Sequence, residues 1–247
     1  MKRRFRTIWT IAKRELAGYF TSPVAYVFII IFLALAGFFT FMVSNFFESN
    51  EASLAPFFFW HQWLYLFLVP AIGMRLWAEE RRAGTIELLL TMPITAGEAI
   101  VAKFLAAWVF LGLALFLTFP MVITVNYLGN PDNGVILAGY FGSFLVAGAY
   151  LAVSSITSAM TRNQVVSFIT AVVLCMALLL AGWPPVTNMV AWAPQSVIDA
   201  VAGFSVVPHY DALQRGVIAL RDIVYFISLI GFALFTTGVI VHSRRGA

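Results

Sequence analysis

The sequence predicts an all-α membrane protein with six transmembrane helices. Three observations carry that prediction: composition, block length and the placement of basic residues. Hydrophobic residues make up 62% of the 247-residue chain and charged residues only 11%, whereas soluble domains run at roughly 45–50% and about 25%. The apolar residues gather in six blocks, 24–44, 57–77, 104–125, 135–160, 165–182 and 223–241, each near the ~20 residues that cross a bilayer. In hydrocarbon every backbone amide must be bonded within the protein, so blocks of this kind are helices. With an even number of spans, the two ends of residues 1–247 share a side. That side collects Lys2, Arg3, Arg4, Arg6, Lys13, Arg14, Arg75, Arg81, Arg82, Lys103, Arg162, Arg244 and Arg245, and leaves only Arg215 and Arg221 opposite. An excess of Lys and Arg marks the cytoplasmic side. Both termini are therefore expected in the cytoplasm, and the net charge of +4 reports topology, with no nucleic-acid partner implied.

Residues 1–22 read as an amphipathic helix lying in the cytoplasmic headgroup layer. Phe5, Ile8, Trp9, Ala12, Leu16, Tyr19 and Phe20 recur at three- and four-residue steps and share a face, with Arg3, Arg6, Thr10, Lys13 and Arg14 opposite. A basic face and an aromatic-rich face suit the membrane interface, and Ser22-Pro23 ends the stripe before the first span. Charge alternates with bulk here, unlike the uninterrupted apolar core of a cleaved signal. After a short acidic loop, the second span opens with Trp60, His61, Gln62, Trp63 and Tyr65, which read as an outer interfacial belt.

The 78–103 loop is the most informative segment. Arg75, Glu79, Glu80, Arg81, Arg82, Glu87 and Glu98 crowd into a chain that is otherwise short of charge. Gly84 ends the charged run, and Thr85 caps a short helix through Leu90. Pro93 stops that helix, and Thr95 with Glu98 forms a capping box for the helix that enters the third span. A short helix exposing Ile86, Leu89 and Leu90 does not stay in water alone, so it is expected to dock on a partner or on the membrane surface.

The third span contains Pro120, and the fourth places Gly139, Ser143 and Ala147 on one stripe, where small residues let helix backbones approach closely. Cys175 is the single cysteine and reads as a small apolar core residue. The 183–222 segment is external and too rich in proline to cross. Two short helices are expected there, near 194–203 and 210–220, with Asp211 and Arg215 spaced for pairing and Arg221 and Asp222 available to neighbours.

Several chemistries are missing. There is no G-x-S-x-G, H-E-x-x-H or C-x-x-C, no mid-bilayer acid with a partner, and no G-x-x-x-x-G-K-[ST] phosphate loop. The sequence thus predicts a non-enzymatic chain that binds no cofactor itself and draws energy from a partner.

The run Glu79-Glu80-Arg81-Arg82-Ala83-Gly84-Thr85-Ile86-Glu87-Leu88-Leu89-Leu90-Thr91-Met92-Pro93, with the six spans and the interfacial helix, resembles the ABC-2 type transporter permeases, an architecture like that of type V exporters. The run Arg215-Gly216-Val217-Ile218-Ala219-Leu220-Arg221-Asp222-Ile223-Val224-Tyr225-Phe226 is similar to the permease subunit of gliding-motility-type ABC transporters. The resemblance implies a permease of a bacterial inner membrane, paired with a second copy or a related permease and driven by a separate ATPase subunit that binds ATP and Mg. It implies that the ATPase docks on Glu79, Glu80, Arg81, Arg82, Thr85, Ile86, Glu87, Leu89 and Leu90, and pushes also on the interfacial helix at Phe5, Ile8, Trp9, Lys13, Arg14 and Leu16. It further implies an auxiliary membrane protein meeting the external segment that carries Asp211, Arg215, Arg221 and Asp222. The competing reading is a scaffold or force-transmitting subunit that anchors an external complex and transports nothing.

Overall fold

The computed structural model describes residues 2–48, 51–85, 95–189 and 201–243. Every regular element among them is helical: α1 (Lys2–Thr21), α2 (Pro23–Phe38, continued by a π-turn Phe39–Val43), α3 (Ala55–Gly73), α4 (Arg75–Ala83), α5 (Ala96–Phe116), α6 (Pro120–Leu128), α7 (Asn133–Met160), α8 (Gln164–Leu180), α9 (Pro184–Met189), α10 (Val206–Gln214) and α11 (Leu220–Ser243).

Local chemistry sets most of these boundaries. Ser22 caps α2 with Pro23 in the first helical position, where the missing N–H is harmless. Thr95 and Glu98 form the expected reciprocal box: Glu98 accepts the Thr95 N–H at 2.9 Å, and Thr95 Oγ1 accepts the Glu98 N–H at 3.3 Å. Asp132, Asn163 and Ser205 cap α7, α8 and α10 through their side-chain oxygens.

Helix α7 is the axis of the bundle. It packs against α3, α4, α5, α8, α10 and α11, and every residue from Leu145 to Ser155 is buried. Its small-residue stripe serves this role at Gly139, which Phe58 of α3 approaches, and Gly148, beside the stripe, takes Trp108 of α5 in the same way. By contrast, α2 and α11 turn wide apolar faces outward, including Ile30, Met42, Ile227, Phe232 and Phe235. Such faces suit lipid contact.

Among the described residues, five helical stretches are long and apolar enough to cross a membrane: Pro23–Val43, Ala55–Ala83, Ala96–Leu128, Asn133–Met160 and Leu220–Ser243. The block 165–182 coincides with α8, which has only 17 residues, about 26 Å at 1.5 Å per residue.

Two stretches are interrupted. The 104–125 block starts earlier, at Ala96, and breaks over Leu117–Phe119 ahead of Pro120. Thr118 and Tyr140 hold that break, with their hydroxyls 2.9 Å apart and the Tyr140 hydroxyl donating to the Thr118 carbonyl at 3.2 Å. The second block does not end near Trp77. After a one-residue break at Met74 it continues as α4 through Ala83, so the charged run is itself helical. Gly84, at φ +70°, then closes α4 in the left-handed conformation that glycine tolerates.

The belt reading of the second span is corrected. His61, Gln62 and Tyr65 are buried inside the bundle, because the face of α3 that carries them packs on α7. His61 Nδ1 lies 2.8 Å from Ser143 Oγ, which lies 2.6 Å from the Tyr210 hydroxyl, and Tyr210 donates to the Phe58 carbonyl at 3.0 Å. A desolvated polar chain thus ties α10 to α3 and α7. The external helix expected at 210–220 begins and ends earlier, as Val206–Gln214, because Ser205 caps it and Gly216, at φ +81°, follows its end. Most of the companion helix expected near 194–203 lies outside the described residues.

Candidate functional site

The charged end of the bundle, where α1, α4 and α5 meet, is built around one lysine. Lys103 sits about two turns into α5 and is only 6% exposed. Its Nζ lies 2.7 Å from Glu80 Oε1 of α4 and 3.1 Å from Glu15 Oε2 of α1. The same ammonium stands 5.8 Å from the centroid of the Trp77 ring, within cation–π range. A buried lysine is tolerated only with such partners. Glu15 in turn is 3.6 Å from Arg14.

Aromatic packing fixes α1 beside this cluster. Tyr19 stacks on Phe110 of α5 at 5.2 Å, and Phe20 and Phe28 close on the same ring. Burial, reinforced by the Glu15 charge, raises the Tyr19 hydroxyl well above its ordinary value, so it stays protonated. Further along α1, Ala12 packs on Ala102 and Ala106 of α5, with Ile8, Ile11 and Leu16 around them. A cavity of about 360 Å³ opens beside the cluster, with Arg14, Glu15, Arg75, Glu79, Glu80 and Lys103 in its wall.

The predicted contact residues therefore separate. Glu79 pairs with Arg75 one turn back, at 3.0 Å, and Glu80 faces inward to Lys103. Arg81 is half-buried, while Arg82 and Thr85 are exposed. The Thr85 N–H and Oγ1 both donate to the Glu80 carbonyl, so Thr85 completes the end of α4. Ile86, Glu87, Leu89 and Leu90 lie outside the described residues. On α1, Ile8 and Leu16 face α5, whereas Trp9 is half exposed with Lys13 5.4 Å from its ring. Arg14 is exposed, and Phe5 belongs to α1 by its backbone.

At the opposite end, Asp211 and Arg215 border a second cavity. Asp222 is fully buried, 2.7 Å from His209 Nδ1 and 3.4 Å from Nε of the exposed Arg221.

Sequence reasoning passed over Glu15 and Lys103. The signal was present in both. Glu15 is the only acid before Glu48, and Lys103 is a lone cation entering an apolar block, where an ionisable side chain needs a partner.

The ABC-2 family transporter protein model matches residues 63–241, well over half of the chain. The chain belongs to the ABC-2 family. No curated protein matches it. The ABC-2 match takes in Glu80, Lys103 and the whole of α7, and begins after α1 and α2. As an ABC-2 protein the chain is a multi-pass membrane permease subunit of an ABC transporter, and its charged end joins α1 to the helices of the matched region.

Proposed function

We propose that this permease is the membrane half of an ATP-driven exporter, with a separate ATPase subunit docking on residues 79–93 beneath the charged end. The observation that carries the reading is the Lys103 bridge between Glu80 and Glu15. A push on the segment after α4 reaches α1 and α5 through this bridge, and α7 through the α4–α7 contact. The partner binds ATP and Mg, and this chain binds neither. Both termini and the charged end lie in the cytoplasm of a bacterial inner membrane, as the basic-residue count argues. The chain crosses six times, with α8 as the short span, and pairs with a second permease copy or a related permease. The run from Arg215 to Phe226 supports membership of the gliding-motility-type subgroup, with an auxiliary external protein meeting the 183–222 segment.

Glu79 and Glu80 act inside the permease in this mechanism, because both have internal partners. Exposed Arg82 and the residues that follow it make the ATPase contact. Co-expression with an ATPase encoded beside the permease tests the division of labour. Arg82→Glu is expected to reduce co-purification of the ATPase. Glu80→Gln is expected to leave it bound while lowering stimulation of ATP hydrolysis by the permease. Retention of full binding and full stimulation by both variants would remove the coupling role. If the permease recruits no ATPase at all, the scaffold reading takes its place.

A further inference from the structure

The cavity of about 360 Å³ at the charged end lies between α1 and α4, and its wall residues fix its level in the bilayer. Ser22 directly precedes the span that opens at Pro23, and Arg75 follows the Met74 break at the end of α3. Helix α3 has 19 residues, about 28 Å at 1.5 Å per residue, close to the hydrocarbon thickness of about 30 Å. The cavity therefore sits where two spans leave the hydrocarbon, in the layer of lipid headgroups. Tyr19 and Leu76 give its wall an apolar part. Gly18 keeps another part open. It lies inside α1, where glycine costs about 1 kcal/mol relative to alanine. Among the described residues, a methyl added there would meet no atom within 4 Å beyond its chain neighbours and its own helix backbone. Packing does not demand a glycine at this position, and what the glycine leaves is room.

Lys103 is committed to Glu15 and Glu80, but other charges in the wall are accessible and keep bonding capacity. Arg14 is 63% exposed and approaches Glu15 only to 3.6 Å, too long for a hydrogen bond, so its guanidinium fork is open. Arg75 meets Glu79 through Nε and Nη2, at 3.0 and 3.4 Å, which leaves Nη1 for another acceptor. Glu79 is itself 51% exposed. Two guanidiniums suit a phosphate, which each can bond through more than one N–H. A bare anion would also face the Glu79 carboxylate, whose charge favours an ammonium beside it. One head group carries both charges, a phosphate joined by a two-carbon link to a primary ammonium. We propose that this cavity binds the head of phosphatidylethanolamine, with the phosphate on Arg14 and Arg75 and the ammonium on Glu79. Binding requires neither the ATPase nor a direction of transport, only that this end lies in a headgroup layer.

Native mass spectrometry of the full chain in detergent, without any ATPase, reads the lipid bound at each added concentration. Phosphatidylglycerol lacks the ammonium, and the methylated ammonium of phosphatidylcholine has no N–H to donate. The wild-type chain is expected to bind phosphatidylethanolamine about three- to tenfold more tightly than either. Arg14→Gln is expected to weaken phosphatidylethanolamine and phosphatidylglycerol alike. Glu79→Gln is expected to weaken phosphatidylethanolamine alone and so to erase its preference over phosphatidylglycerol. Gly18→Leu places a side chain in the open space, improves helix propensity and so keeps the fold; it is expected to weaken phosphatidylethanolamine by about tenfold. Unfolding midpoints in lipid-free detergent separate loss of binding from loss of fold. Equal affinity of the wild type for the three lipids, or an unchanged preference in Glu79→Gln, overturns the proposal. Full binding by Gly18→Leu places the lipid elsewhere and overturns it too. Glycerophosphoethanolamine is the soluble probe: if it binds as tightly as the intact lipid, the site takes a free amino-phosphate and the lipid assignment fails. None of these failures touches the coupling role of Glu80 and Lys103, which is read through ATP hydrolysis.

Discussion

The Ser158 hydroxyl fills the gap that opens where helical hydrogen bonding breaks at Met74. It donates to the Met74 carbonyl at 2.8 Å and accepts the N–H groups of Trp77 and Ala78, each at 3.0 Å. In an unbroken helix those two N–H groups would reach the carbonyls of Gly73 and Met74. Ser158 replaces both partners, and so uses the full capacity of one hydroxyl, a single donor and two acceptor sites. Ser155, one turn earlier on α7, accepts the Trp77 indole N–H at 3.2 Å. The hinge between α3 and α4 is therefore latched to the bundle axis by two serines.

Removing that hydroxyl strands two backbone N–H groups in an apolar interior. Ser158→Ala is expected to destabilise the permease by about 2–3 kcal/mol, read as a lower unfolding midpoint in thermal denaturation of the reconstituted protein. Ser155→Ala frees the Trp77 indole N–H and a long 3.4 Å contact from the Thr237 hydroxyl, which keeps the Ala233 carbonyl at 2.8 Å, and is expected to lose about 1 kcal/mol. Equal effects from the two variants would contradict the assignment of Ser158 as the hinge latch.

The Lys103 bridge leads to a prediction about coupling between sites. Truncating one member of a buried ion pair leaves its partner desolvated, so single changes exaggerate the worth of the pair. Lys103→Met and Glu80→Gln should each destabilise by about 1–3 kcal/mol, and the double variant by clearly less than their sum. A double-mutant cycle on unfolding midpoints checks this, and simple additivity would mean that the 2.7 Å contact is not formed in the membrane.

How far the sequence could be read depended on whether the deciding partner was near or far along the chain. Block length and composition marked the long helices, since crossing a bilayer leaves few alternatives. The break at Ser22-Pro23, the capping box at Thr95 and the stop at Gly84 were legible because each acts within four residues. The Met74 break was not legible. Pro70 sits within α3 and weakens the local helix, but the hydroxyl that repairs the break comes from Ser158, far along the chain on α7. For the same reason the run at 60–65 passed for an interfacial belt: Trp, Tyr and His fit that pattern, and only Ser143 and Tyr210 reveal that His61 points inward. At the charged end, sequence placed Glu79 and Glu80 in a solvent-facing loop, whereas an i,i+4 arginine and a distant lysine draw them into the fold.

Close approach at the same hinge has its own consequence. A Cβ on Gly73 would overlap the Ser154 side chain of α7, and Ser154, fully buried, has no free direction in which to move. Gly73→Ala is therefore expected to push α3 away from α7 and to destabilise by about 1–3 kcal/mol, although alanine is the better helix former. Gly97 is the control, because among the described residues a methyl added there would meet no atom within 4 Å beyond its chain neighbours and its own helix backbone. Gly97→Ala should leave the unfolding midpoint unchanged or raise it.

Asp211 gives the permease a pH dependence of definite sign. Burial raises its carboxyl above the ordinary value and the Arg215 charge only partly opposes this, so the folded protein holds the Asp211 proton to higher pH than the unfolded chain does. A raised carboxyl contributes stability that is fully present below the unfolded value of about 4 and is lost as pH rises through the folded value. Asp211→Asn removes the group whose ionisation is disfavoured and keeps its shape. The variant is expected to match the wild type below about pH 4 and to be slightly more stable at neutral pH, with the difference growing as pH rises between these limits. Unfolding midpoints of both proteins across that range check the sign. A variant that is less stable at neutral pH would show instead that attraction to Arg215 outweighs burial at this carboxylate.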